Sequence, residues 1–167
     1  ERKAYDSKLI EAEKLEYQKR FKEVLEATVQ RFADEKQKST KTKTGLEYFI
    51  SKKGTAKKPD NGSQIQIFYA GYFESGELFD SNVEDVAKHF GVYNEQRKIQ
   101  GGYGPIPFQY GNKQGMIPGF IEGIEKLNIG DKATVFIPAH LAYGKAGAGN
   151  IIPPNTNLIF EIEILQD

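Results

Sequence analysis

Hydrophobic and polar positions follow two different rules along this chain, and the change falls near residue 45. Over residues 1 to about 38, Ile10, Tyr17, Phe21, Val24, Thr28 and Phe32 recur at spacings of three, four or seven, set among charged side chains. That is one narrow face of a 3.6-residue period, and neither Gly nor Pro interrupts it. The spacing predicts a single helix over 1–38. Such a stripe suits a face laid on a following domain or a dimerisation seam, and the pattern leaves both open.

Ser39-Thr40-Lys41-Thr42-Lys43-Thr44-Gly45 breaks the period with hydroxyl side chains and a glycine suited to a left-handed exit, and reads as a linker over 39–45. Strand patterning begins at Leu46. Leu46–Ile50 forms one strand, and Gln64-Ile65-Gln66-Ile67-Phe68-Tyr69 alternates polar with apolar at period two. Pro59-Asp60-Asn61-Gly62 supplies a turn, and Ser75-Gly76 marks a hairpin between Tyr72-Phe73 and Leu78-Phe79. Ala133–Ile137 and Leu158–Ile164 are further strands, while one short helix is expected around Gly119 to Leu127. The residues from about 82 to 106 interrupt this rhythm. Ser81 three before Glu84 has the form of a capping box, so a short helix through Val86, His89 and Phe90 is expected there, followed by a loop at Gln100–Pro105. The fold class is α+β: a mostly antiparallel sheet wrapped on a short helix, residues 46–167, preceded by the long helix.

Charge changes this picture little. Lys plus Arg and Asp plus Glu both number 23, which gives no footprint for nucleic acid. The mild asymmetry, twelve basic and nine acidic residues through Gly45 against eleven and fourteen beyond it, lets the two parts attract each other. No cysteine is present, which excludes disulfides, thiolate catalysis and zinc–thiolate sites. No apolar run approaches membrane-spanning length and none reads as a signal peptide. The chain opens on Glu1 rather than Met, as expected of a trimmed sequence whose targeting segment is not visible.

Candidate chemistry is narrowed by what is missing. His89 and His140 stand alone without ligand-spaced partners, and Gly144, Gly147 and Gly149 lack the strand-to-helix setting and Lys-Ser/Thr ending of a phosphate loop. No metal, nucleotide or other cofactor is called for. What remains is a set of aromatics beside turns: Tyr69 before Ala70-Gly71, Phe79 in Phe79-Asp80-Ser81, Phe120 after Ile117-Pro118-Gly119, Tyr143 before Gly144, and Phe160 in the last strand. Taken singly, each is better explained by core packing.

Taken together, Phe68-Tyr69-Ala70-Gly71, Leu78-Phe79-Asp80-Ser81, Ile117-Pro118-Gly119-Phe120-Ile121-Glu122-Gly123, Ala142-Tyr143-Gly144 and Ile151-Ile152-Pro153-Pro154 resemble the motifs of the FKBP-type peptidyl-prolyl cis–trans isomerases, in order and approximate spacing. The resemblance runs from Leu46 to Asp167 and omits the insertion. It implies a pocket for a proline ring, floored by Phe120 where the family often has tryptophan, and walled by Tyr69, Phe79, Tyr143 and Phe160. Met116, Ile117 and Ile152 would complete the apolar lining, with Phe108 matching a further wall position and Asp80 at the rim.

The resemblance further implies proline-containing protein or peptide substrates and macrolide inhibitors. Helical N-terminal extensions of this kind suit a bacterial cell envelope or periplasm, with lipid anchoring through a preceding segment as one route. The insertion is either a passive decoration or a flap beside the pocket. Two other readings remain, a non-catalytic binding module on the same scaffold and a chaperone that grips unfolded chains.

Overall fold

The structure, a computed structural model, describes residues 2–166. It opens with two helices, α1 (Arg2–Arg20) and α2 (Lys22–Gln37). The stripe predicts one helix, but the structure divides it at Phe21, whose backbone sits at φ −106° and ψ 18°. The hydrogen-bond ladder runs on through the break, since Phe21 N–H bonds the Tyr17 carbonyl and Leu25 N–H bonds that of Phe21, both at 2.9 Å. Packing accounts for the break. The Phe21 ring stacks on Tyr17 at 4.7 Å and lies so close to Gly91 that a Cβ there would sit 2.2 Å from Phe21 Cζ.

Strand β1 (Thr40–Lys41) pairs with β2 (Glu47–Lys52), so the segment read as a linker holds a short strand and a tight turn. Gly45 takes φ +101° at that turn, the left-handed exit its sequence position suggests. Next come β3 (Gln64–Phe73) and β4 (Leu78–Ser81), joined through the Ser75-Gly76 hairpin with Gly76 at φ +90°. Helices α3 (Glu84–His89) and α4 (Glu95–Ile99) follow within the insertion, then β5 (Ile106–Gln109), α5 (Pro118–Glu125), β6 (Lys132–Ile137) and β7 (Leu158–Ile164).

Every strand pair is antiparallel, in the order β1-β2-β6-β7-β3-β4. Strand β5 continues the β3 edge beside β4, because Ile67 faces Ile106 on one side and Ile164 on the other. The insertion therefore emerges where two short strands share one edge.

Period-two alternation sends side chains to two different cores. From β3, Ile65 and Ile67 join Phe120, Ile121 and Ile124 of α5, while Ala70 and Tyr72 turn to the other face. There α2 lies against the sheet: Phe32 packs edge-on against Tyr72 at 5.0 Å and Phe136 at 6.4 Å, and Thr28 is buried. The stripe's face from Tyr17 to Phe32 thus rests on the domain, whereas Ile10 is 64% exposed. Burying a ring such as Phe32 contributes about 1.5–3 kcal/mol. Arg31 bonds Glu161 on β7 at 3.2 Å, and Tyr72 donates to the same carboxylate at 2.5 Å. Burial, and then the Glu161 charge, push the Tyr72 phenol pKa well up.

The expected helix in the insertion is present as α3, but its cap is not Ser81. Val83 precedes the first turn without a side-chain cap, and Ser81 Oγ instead donates to the Tyr69 carbonyl (2.7 Å) and accepts from Val83 N–H (3.0 Å). Ser81 is already extended in β4, too early to cap a helix starting at Glu84. The second helix, α4, carries its own cap, Asn94 accepting from Arg97 N–H at 2.9 Å.

Candidate active site

An apolar cleft of about 210 Å³ opens between α5 and the sheet, lined by Tyr69, Phe79, Asp80, Ile106, Gly115, Met116, Ile117, Phe120, Tyr143 and Phe160. Strands β3, β4, β5 and β7, helix α5 with the segment leading into it, and the loop carrying Tyr143 supply it. Tyr69 comes from the alternating face of β3 and Phe160 from β7, where the register pairs Gly71 with Phe160. Gly71 leaves room for the rings: a Cβ there would meet Phe79 Cζ at 2.6 Å and Phe160 Cε1 at 2.8 Å.

Phe79 and Asp80 are neighbours in sequence, yet both reach the cleft. Gly71 pairs with Asp80 and Tyr72 with Leu78, so Phe79 is an extra residue, a bulge that turns two consecutive side chains the same way. Ile117 leads into α5 with extended backbone, and Pro118 at the first helical position needs no N–H partner. Phe120, two residues on, points down into the floor. Its ring meets Tyr69 (6.2 Å, 83°) and Phe160 (5.2 Å, 86°) edge-on, and Phe160 meets Phe79 in the same way (5.6 Å, 88°). These edge-to-face contacts align the rings' quadrupoles and fix the walls. Tyr143 stands at the mouth, 40% exposed.

Among the described residues, the only charged group lining the cleft is already engaged. Asp80 Oδ2 accepts from the Tyr69 hydroxyl at 2.8 Å and Oδ1 from Arg97 at 2.8 Å. Burial, and then the hydrogen bond to Asp80, push the Tyr69 phenol up to about 12, so it is a donor at neutral pH. Desolvation works against the Arg97 cation, but the hydrogen bond to Asp80, together with the nearby Tyr69 hydroxyl, outweighs this and raises its pKa. A carboxylate held from both sides is fixed in orientation and keeps its neighbours' dipoles aligned.

The structure brings together Tyr69, Phe79, Asp80, Met116, Ile117, Phe120, Tyr143 and Phe160. It places Phe108 and Ile152 behind the cleft, 7% and 4% exposed, in the core cluster that supports the floor. Phe108 sits opposite Ile65 on the β3 edge, and Ile152 closes the glycine loop through a bridge to Ala148. Sequence reasoning missed Ile106 at the end of the insertion, Gly115 just before Met116, and Arg97, seventeen residues from its partner. Asn82 was also missed. It is 1% exposed, accepts from Tyr69 N–H (2.7 Å) and donates to the carbonyls of Ile67 (3.1 Å) and Gly104 (3.0 Å). Nothing local in the sequence signals either long-range partner. The two histidines are spent elsewhere: His140 Nε2 lies 2.9 Å from the Thr44 carbonyl, and His89 packs on Phe90.

This combination of antiparallel sheet, short helix and aromatic cleft is that of an FKBP-type peptidyl-prolyl cis–trans isomerase, and the chain belongs to that family: its profile, described as FKBP-type peptidyl-prolyl cis-trans isomerase, matches residues 55–165. Among relatives, the chain is 37% identical over 135 residues to FK506-binding protein 2 of Yarrowia lipolytica, covering 81% of each. It is 32% identical over 168 residues to FkpA of Aeromonas hydrophila, covering 96% of this chain and 53% of that protein. The crystal structure of FkpA from Escherichia coli superposes with a TM-score of 0.59 at 27% identity, over 98% of this chain and 68% of that one. The chain thus spans about half the length of its Aeromonas relative, and the match reaches the N-terminal helices as well as the sheet.

Proposed function

We propose that the cleft binds the proline ring of a protein or peptide and lowers the barrier to rotation of the preceding peptide bond, with residues 46–167 as the isomerase unit and 82–106 as its insertion. The observation that carries this reading is a largely apolar, aromatic-lined cleft whose rim carboxylate, Asp80, is held by Tyr69 and Arg97. Rotation of an X-Pro bond is slow because amide resonance must be broken, at a barrier of about 20 kcal/mol. Twisting localises the nitrogen lone pair and reduces charge separation across the amide, so apolar surroundings favour the twisted state over the planar one. The Phe120 floor and the Phe160 and Phe79 walls hold the ring while the flanking chain turns. The Tyr69–Asp80–Arg97 group supplies a fixed dipole at one side, and no bond to the protein forms or breaks. A thousandfold acceleration requires only about 4 kcal/mol of differential stabilisation.

Exchange NMR on short Xaa-Pro peptides tests this directly. The wild type accelerates exchange, and Tyr69→Ala, Asp80→Ala and Phe160→Ala, each verified as folded, reduce it. Unaltered acceleration in all three sinks the assignment of the cleft.

Three finer points belong to the same reading. The name of the Yarrowia relative says that protein binds FK506; a macrolide of that class should compete for this cleft, and peptide displacement tests it. Helix α1 carries Leu9, Ile10 and Leu15 at 44%, 64% and 63% exposure, an apolar set that supports dimerisation through the extension. A monomer in sedimentation at micromolar concentration would rule that out. Kinship with isomerases bearing helical extensions supports a cell-envelope location, checked by fractionation of the native host.

A further inference from the structure

The insertion lines the cleft with Ile106 at its end and reaches the rim carboxylate Asp80 through Arg97, and the surroundings of Arg97 form a small structure of their own. The guanidinium lies over the Tyr103 ring, 5.0 Å from its centroid, and Nε–H donates to the Gly102 carbonyl at 3.0 Å. Tyr103 in turn stacks on Tyr93 at 5.5 Å with 14° between the planes, and its hydroxyl accepts from Asn94 N–H at 3.0 Å. Lys88 of α3 lies 5.0 Å over the Tyr93 ring. Glu84 receives both Lys88 and Lys98, tying α3 to α4. Gly102 has to be glycine here, since a Cβ would meet Arg97 Cγ at 2.4 Å. The result is a layered arrangement, Lys88 on Tyr93 on Tyr103 on Arg97, whose last member bonds Asp80.

We propose that Tyr103 is a positioning residue for Asp80 and acts through Arg97. The physical reason is the length of the arginine side chain. Only about 33% of it is exposed, yet apart from Asp80 its head is held by one backbone carbonyl and the face of one ring. A planar, delocalised cation is fixed in orientation by a ring face in a way a point charge is not. Without that face the guanidinium samples other rotamers, Asp80 Oδ1 loses its partner, and the carboxylate that orients the Tyr69 hydroxyl is free to turn. The insertion on this account lies beside the cleft and sets its polar edge.

The proposal rests on the site reading above, and the test separates the two. Isomerisation of a proline peptide is measured for Tyr103→Ala, Tyr103→Leu, Tyr103→Phe, Arg97→Ala and the Arg97→Ala/Tyr103→Ala double variant. Positioning through Arg97 predicts that the Ala and Leu variants lose about fivefold in kcat/KM with kcat falling more than KM rises, while Tyr103→Phe keeps activity within about twofold. The double variant falls no further than Arg97→Ala alone, because coupled residues are non-additive. In NMR spectra the Arg97 Nε–H signal persists in the Phe variant and exchanges rapidly in the Ala variant. Additive losses, or full activity in Tyr103→Ala while Asp80→Ala is impaired, overturn the proposal and leave the cleft assignment standing. Full activity in Asp80→Ala with Tyr69→Ala and Phe160→Ala impaired overturns the proposal alone, and full activity in all three overturns both.

Discussion

The two faces of the sheet use the same kind of aromatic packing to opposite ends. On one, Phe32 of α2 fits edge-on against Tyr72 and Phe136, and the space between helix and sheet is filled. On the other, Phe79, Phe120, Tyr69 and Phe160 meet at similar distances and angles, but their ring of contacts stops short and leaves a cleft. Each face also carries a tyrosine hydroxyl bonded to a carboxylate that an arginine shares: Tyr72–Glu161–Arg31 on the filled face and Tyr69–Asp80–Arg97 on the open one. Chemistry of the side chains therefore does not separate structural from functional aromatics here. What separates them is whether the packed rings fill the space between helix and sheet or leave a cleft.

Truncation on the filled face gives the largest effect. Phe32→Ala removes a ring that is 3% exposed and should cost about 3–5 kcal/mol in chemical denaturation, while kcat/KM of the folded variant stays within about twofold of wild type. A parallel collapse of activity would break the division between faces. Next in size is Gly71→Ala, which drives a methyl group between Phe79 and Phe160. It should cost about 1–3 kcal/mol as overpacking and weaken peptide binding in NMR titration; unchanged affinity would mean the walls yield freely. Tyr143→Ala, at the exposed mouth, should lower kcat/KM about tenfold, roughly 1.4 kcal/mol, with stability changed by no more than about 0.5 kcal/mol.

A further effect, confined to alkaline pH, is shared by both faces. Tyr69 and Tyr72 are raised in the folded state above the ordinary tyrosine value of about 10. The folded protein then holds protons that the unfolded chain has released. The stability these phenols contribute is complete below pH about 10 and is lost as pH rises, for Tyr69 through its folded value of about 12. Denaturation midpoints should fall across that window, and Tyr69→Phe and Tyr72→Phe should each remove part of the slope. A midpoint flat from pH 10 to 12 would mean that the buried hydroxyls ionise as readily folded as unfolded.

Much of this was legible along the chain because it is encoded locally. The alternation in Gln64–Tyr69 placed β3, and the short helix expected around Gly119 to Leu127 is α5, which carries Phe120. The break at Phe21 was not legible, because nothing in the helical period shows that Gly91 will stand against that ring. The capping-box signal at Ser81 misled for a related reason: the pattern describes a local bond, and the strand ladder had already claimed the residue. Arg97 and Asn82 lay beyond reach altogether, since their partners are set by how the edge of β3 is shared.

That shared edge has a consequence for engineering. Asn82 and Gly104 exchange hydrogen bonds in both directions, Gly104 N–H to the Asn82 carbonyl and the Asn82 amide to the Gly104 carbonyl, each at 3.0 Å. The insertion therefore leaves and re-enters the sheet at a single closed gate, so its length is nearly independent of the register on either side. Loop-closure cost grows only with the logarithm of length. A foreign segment grafted between that pair should be carried as a cassette, with β4 and β5 undisturbed and only the hand laid on Asp80 exchanged.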